Sequence, residues 1–303
     1  MLGALRSGTT LFRLMLNAHD GITNLGESDF LFDYLKRQSG SYDWMYDVAS
    51  LRQNRVFQSQ NLNILKSEDG KQIAHDLVAQ LTQRARGQLC LAIHRNADKV
   101  ANLFPGCKIV HLIRDPRDVA RSCINMGWAG NTYYGVDPWL ETEMNWDASL
   151  PLFEKKNVLE VHFEKLISNP QLELGRVCQF LAVPFTPEML NYPAHSTYET
   201  PHPSAAQQWK SKLKPRDVVL VEIKARSLLL ERGYQLSGYP LDRPGLLERA
   251  YLFYQNKTYK WMFGCRRYGI FNFAMEKITR RLIKPLHPVF VHRMNQIAKQ
   301  HLK

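Results

Sequence analysis

The chain has 303 residues, of which 45% are hydrophobic and 22% charged, a soluble globular balance long enough to bury a proper core. Its net charge of +12 is uneven: 240–303 holds 13 Lys and Arg against 3 Asp and Glu, leaving the first 239 residues nearly neutral. No run of about 18 apolar residues predicts a transmembrane helix, and five scattered cysteines without a C-x-x-C pair predict free thiols in a reducing, cytoplasmic setting.

In chain order, 1–4 predicts a short apolar strand and 10–17 a helix with Leu11, Leu14 and Met15 on one face. A helix follows over 68–86, where Ile73, Leu77 and Leu81 recur every four residues. The apolar runs 89–94 and 108–114 read as strands of a parallel sheet, with a helix near 97–104 between them. A long helical segment spans 138–155, and 158–164 is the fourth strand. Helices are predicted at 171–181 and 217–232, the latter ended by Gly233. Strands alternating with helices predict a three-layer α/β fold around a mostly parallel central sheet. The turn-rich stretch 237–245 separates this body, 1–239, from a basic, aromatic-rich helical extension, 240–303.

Between the first strand and helix lies "GALRSGTT", residues 3–10. It keeps the spacing of a phosphate-binding G-x-x-x-x-G-K-[ST] loop, but Thr9 stands where the lysine belongs. Such a loop offers backbone N–H groups and a positive helix end to an anion. Gly8 allows close approach, Ser7, Thr9 and Thr10 bring hydroxyls, and Arg6 brings a charge. A ligand with one 5′-phosphoryl unit and one further group carries less negative charge than a triphosphate, and amides, hydroxyls and Arg6 could hold it without the lysine or a metal. The strand before Gly3 is short for a sheet strand, so the N-terminus reads as truncated and an upstream anchor is left open.

A second constellation, "LIRDPRDVARS", ends an apolar strand at Arg114 and opens a helix after Asp115 and Pro116. Arg114 falls at the C-terminal edge of its strand, where α/β sheets bind ligands, and Ser122 lies one to two turns into the helix. Together they form a candidate grip for a second phosphate. Asp118 is assigned a capping role.

These stretches, with "GESDF", "VHFEKLISNP" and "CQFLAVP" in order, resemble the sulfotransferases that use 3′-phosphoadenosine 5′-phosphosulfate (PAPS), in the branch of tyrosylprotein and bacterial-type enzymes. The resemblance spans roughly 1–241. It implies a P-loop NTPase-like fold and PAPS as co-substrate without a metal. It also implies that Arg6, Ser7, Gly8, Thr9 and Thr10 hold the 5′-phosphosulfate, and that Arg114 and Ser122 hold the 3′-phosphate. Two residues compete as the base for the acceptor hydroxyl. Glu27 matches the tyrosylprotein branch and is preferred, while His94 lies near the base histidine of cytosolic relatives. Arg95 is placed to stabilise the leaving group. Trp209, in a segment resembling the family's cofactor cover, either stacks on adenine or packs as core. Phe163 stands where relatives often carry tyrosine.

The expected activity is in-line sulfuryl transfer to a hydroxyl of a glycan, lipid or peptide tyrosine. Two other classes stay in view: a P-loop kinase-like phosphotransferase, and a non-catalytic membrane-associated binding module. The extension suggests peripheral contact with an anionic membrane or an acidic polymer. Nucleic acid is not an expected partner, because no reading motif accompanies the charge.

Overall fold

The computed structural model describes residues 1–37, 43–195 and 203–300. The chain divides into two compact units, Met1–Asp115 with Pro138–Gln208, and Pro116–Asp137 with Trp209–Lys303.

The first unit is built on parallel strands. β1 (Leu2–Gly3), β2 (Ile22–Thr23), the antiparallel hairpin β3 (Leu35–Arg37) and β4 (Trp44–Tyr46), β5 (Gln88–Leu89), β6 (Ile109–Ile113) and β7 (Val158–His162) follow in chain order. β6 lies between β1 and β7, with Leu2 opposite His111 and Ile109 opposite Val158. β2 pairs with β5. Parallel bridges from Glu27 to Ala92 and from Leu2 to Ile93 continue the ladder across both pairs. The spatial order is therefore β2, β5, β1, β6, β7.

Pleating sends successive residues to opposite faces of this sheet. Leu2, Ile93 and Ile109 enter one apolar cluster, together with Phe32 and with Ile73 and Leu77 of the helix Gly70–Arg84. Their neighbours Met1, Ala92 and Val110 enter the other, with Phe12 of the helix Thr9–Asn17 and Leu174 of the helix Pro170–Leu181. Helical layers on both faces explain why the strands read as continuous apolar runs. The α/β fold with a parallel sheet is thus as expected. Several bounds differ: the helix begun at Asp137 ends at Ser149, and β7 stops at His162 because Phe163 already opens a helix. The short helices and the β3–β4 hairpin between Phe30 and Gln60 carried no clear periodicity and were missed.

The second unit is helical over Pro116–Asn125, Thr132–Gly135, Trp209–Lys212, Pro215–Glu231, Leu246–Tyr268, Ile270–Arg281 and His287–Gln300. Its centre holds a fully buried ion pair, Arg117 Nη1 to Glu222 Oε1 at 2.7 Å. Glu222 also accepts from the amide and hydroxyl of Ser237. The helix Leu246–Tyr268 is tied in by Asn131, which donates to the Leu252 carbonyl, and by Tyr259, which donates to the Ile124 carbonyl. Among the described residues, no helix is long and apolar enough to cross a membrane.

Candidate functional site

Parallel strands deliver their C-terminal ends to one edge, and in the first unit the predicted residues gather there. β1 leads into the loop 4–8, in which the Ser7 amide donates to the Ala4 carbonyl at 3.0 Å. The turn needs two left-handed residues, Arg6 at φ 73° and Gly8 at φ 90°. Gly8 is required twice over: beyond its φ, a Cβ there would lie 2.3 Å from the Phe163 ring. The helix Thr9–Asn17 starts directly after it, with no side chain capping its first amides. Ser7 is fully buried, yet its Oγ has no hydrogen-bond partner among the described residues. An orphaned hydroxyl beside uncapped helix amides is an anion cradle in outline. Arg6 is exposed and Thr10 half-buried.

Arg114 reaches back over this loop. Its Nη1 donates to the Arg6 carbonyl at 3.2 Å and its Nη2 to the Ala205 carbonyl at 3.1 Å. Its guanidinium lies 4.2 Å from the centroid of the Phe163 ring. The phenylalanine standing in place of a tyrosine therefore packs between the loop glycine and the arginine, a role for which a hydroxyl is not needed.

Glu27, bridged to Ala92 at the same edge, is exposed and has no hydrogen-bond or ion-pair partner among the described residues. His94 differs in every respect. It is buried, its Nδ1 lies 2.6 Å from Asp29 Oδ2, and its Nε2 lies 3.3 Å from Thr9 Oγ1. Asp29 also accepts from the His94 amide at 2.8 Å. Burial alone would raise the Asp29 pKa, but the hydrogen bonds and charge of His94 win and hold it below its ordinary value. Arg95 is gripped by Asp33 through Nε at 2.7 Å and Nη2 at 2.5 Å, a contact that raises its pKa. Asp29 and Asp33 are residues that the sequence reading passed over. Both stand in the stretch after Glu27, and their spacing of four on one short helical turn was the available signal.

Ser122 and Trp209 belong to the second unit. Ser122 lies within the helix Pro116–Asn125. Trp209 is buried, its ring 3.7 Å from the Arg117 guanidinium, and its amide donates to Asp118 Oδ1 at 2.8 Å. Asp118 thus serves as an acceptor within this unit. Among the described residues, no group of three or more His, Cys, Asp or Glu is arranged to hold a metal ion.

Residues 1–187 match the family model described as "Sulfotransferase family". A putative protein-tyrosine sulfotransferase of Caenorhabditis briggsae is 27% identical over 63% of this chain and 67% of its own length. Protein-tyrosine sulfotransferase A of Caenorhabditis elegans is 24% identical over 63% of this chain and 51% of its own length. The chain therefore spans from about half to two thirds of these relatives. The sulfotransferase domain of the Synechococcus PCC 7002 olefin synthase superposes with a TM-score of 0.55 at 21% identity, covering 78% of this chain and 94% of that one, which shows the shared fold. With the matching model spanning more than half its residues, the chain belongs to the sulfotransferase family.

Proposed function

We propose that the protein transfers a sulfuryl group from PAPS to an acceptor hydroxyl, with peptide tyrosine the first acceptor to test, given the relatives' names. The observation that carries this reading is the loop itself: the buried, partnerless Ser7 Oγ beside the uncapped start of the helix Thr9–Asn17. These groups fit a doubly substituted 5′-phosphate without a lysine or a metal. Ser7, Thr9, Thr10 and the loop amides bind and orient it, and Arg6 offsets its charge. Arg114 and Ser122 are proposed for the 3′-phosphate on the sequence motif alone. For Trp209, burial under Arg117 supports packing over adenine stacking.

Bound PAPS supplies an activated sulfuryl group and a good leaving group. The chain's own task is alignment, charge stabilisation and proton removal. Glu27 is proposed as the base: its carboxylate is open to an incoming acceptor at the edge that carries the loop. Arg95 is proposed to stabilise the departing oxygen, which requires it to exchange Asp33 for the ligand.

The experiment is transfer of labelled sulfate from PAPS to tyrosine peptides, glycans and lipids, beside ATP with magnesium as phosphoryl donor. Sulfate incorporation that disappears in Glu27→Gln supports the reading. Phosphate transfer from ATP in its place would support the kinase alternative.

We also propose that the helix Leu246–Tyr268 rests on an anionic membrane surface. Leu246, Leu247, Tyr251, Tyr254 and Trp261 are all exposed on it, and Lys257 and Lys260 stand exposed among them. Its acidic residue Glu248 is paired with Arg216. Aromatic rings interleaved with lysines suit a lipid headgroup layer.

A further inference from the structure

His94 has one nitrogen on Asp29 and the other on the donor loop, and this arrangement implies work other than proton abstraction. We propose that Asp29 and His94 are positioning residues that set the Thr9 hydroxyl to receive the 5′ end of the donor, an inference resting on the donor reading above.

The chain of contacts is short and buried. Asp29 takes the His94 amide on Oδ1 and the His94 ring on Oδ2, so both ring orientation and backbone are fixed from one side. From the other side, Thr142 Oγ1 donates to the His94 carbonyl at 3.0 Å. Asp29, held ionised, keeps a proton on Nδ1. That leaves Nε2 as the nitrogen facing the loop, 3.3 Å from Thr9 Oγ1. A hydroxyl that serves an anion must point its proton at the anion and accept from behind. The contact with Nε2 fixes the Thr9 hydroxyl against the imidazole, and with a proton on Nε2 the imidazole is the group behind it, its charge offset by the Asp29 carboxylate. Thr9 occupies the position of the missing loop lysine, so the imidazole reaches the place of that lysine through a hydroxyl. The same geometry argues against His94 as base, because its outward nitrogen is covered by Thr9 and the residue is 3% exposed.

The test measures binding of 3′-phosphoadenosine 5′-phosphate by calorimetry and donor-dependent kinetics in the full chain, with melting temperature as the folding control. Thr9→Val, His94→Gln and Asp29→Asn should each weaken binding by about tenfold, the effect of one charge-assisted hydrogen bond. Thr9→Ser should keep wild-type affinity. The double variant Asp29→Asn/Thr9→Val should bind no worse than Thr9→Val, because the carboxylate acts through the hydroxyl. KM for the donor should rise more than kcat falls. Independent, multiplying losses in the double variant would overturn the proposal. So would a His94→Gln enzyme that binds the nucleotide normally and has lost turnover, which would make His94 the base. If His94→Gln does not fold, the Asp29 and Thr9 cycle decides alone. A wild-type chain that does not bind the nucleotide at all would instead remove the donor reading, and this inference with it.

Discussion

The two units both bury charged and polar side chains, but they finish the networks differently. In the second unit, the Arg117–Glu222 pair closes on itself: Glu222 takes the Ser237 amide and hydroxyl, and Arg117 donates also to the Gln235 carbonyl. In the first unit, the chain from Asp29 through His94 ends on Thr9 of the loop, and nearby Ser7 Oγ is left without a partner. Burying a polar atom without a partner costs on the order of 1–3 kcal/mol. A closed network removes that cost within the protein, whereas an open one leaves it for a ligand to remove. Buried polar atoms without a partner occur in both units, Trp209 Nε1 among them, so the lone orphan is not the signal; Ser7 Oγ is set apart because it lies beside helix amides that no side chain caps.

The comparison can be broken from several directions. The largest effect is expected at Glu27, where Glu27→Gln should lower turnover by about 10²–10⁴-fold with nucleotide affinity unchanged, read by steady-state kinetics and calorimetry. Unchanged turnover would move the base elsewhere. Next, Glu222→Gln should destabilise the chain by about 3–5 kcal/mol in a denaturant titration, because it takes the neutralising carboxylate away from the buried Arg117 charge. It should leave the nucleotide affinity of the folded fraction intact, and a large loss of affinity would blur the line between closed and open networks.

Gly8→Ala should then cost about 1–3 kcal/mol in stability and abolish measurable nucleotide binding. The methyl meets the Phe163 ring in a left-handed conformation. On the exposed face of the helix Leu246–Tyr268, each of Lys257→Gln and Lys260→Gln should weaken binding to vesicles containing phosphatidylserine by about 1 kcal/mol, with neutral vesicles bound weakly throughout. Equal binding to both vesicle types, or self-association through this face, would remove the membrane reading.

The smallest effect concerns pH. Asp29 is held below the ordinary aspartate value of 3.8, so its stabilising contribution is complete above that pH and fades as the pH falls through its lower folded value. Wild type should therefore exceed Asp29→Asn in stability near neutrality, and the gap should narrow in an acid titration below about pH 4.

Much of this was legible in the residues. Apolar runs marked 108–114 and 158–164 as strands, and 89–94 as the path of β5 and the bridges at Ala92 and Ile93, because a sheet covered on both faces draws apolar residues to both. The loop was readable because left-handed turns and close approach restrict the residue type, as Gly8 illustrates. The segment from Phe30 to Gln60 was not readable, since helices of four to six residues are too short to show a period. Nor was the Asp29–His94–Thr9 chain, whose members lie 65 and 85 residues apart.

The sequence by itself determined the parallel-strand framework, the Gly3–Thr10 loop without a lysine, and the concentration of positive charge in 240–303. Each is a local property of spacing, backbone freedom or composition. Only the tertiary structure decided that Glu27 stands open at the sheet edge while His94 is buried between Asp29 and Thr9, and that Arg95 is held by Asp33. The reason is physical: hydrogen-bond partners and burial are set by strand order and register, which join residues that the chain itself keeps far apart.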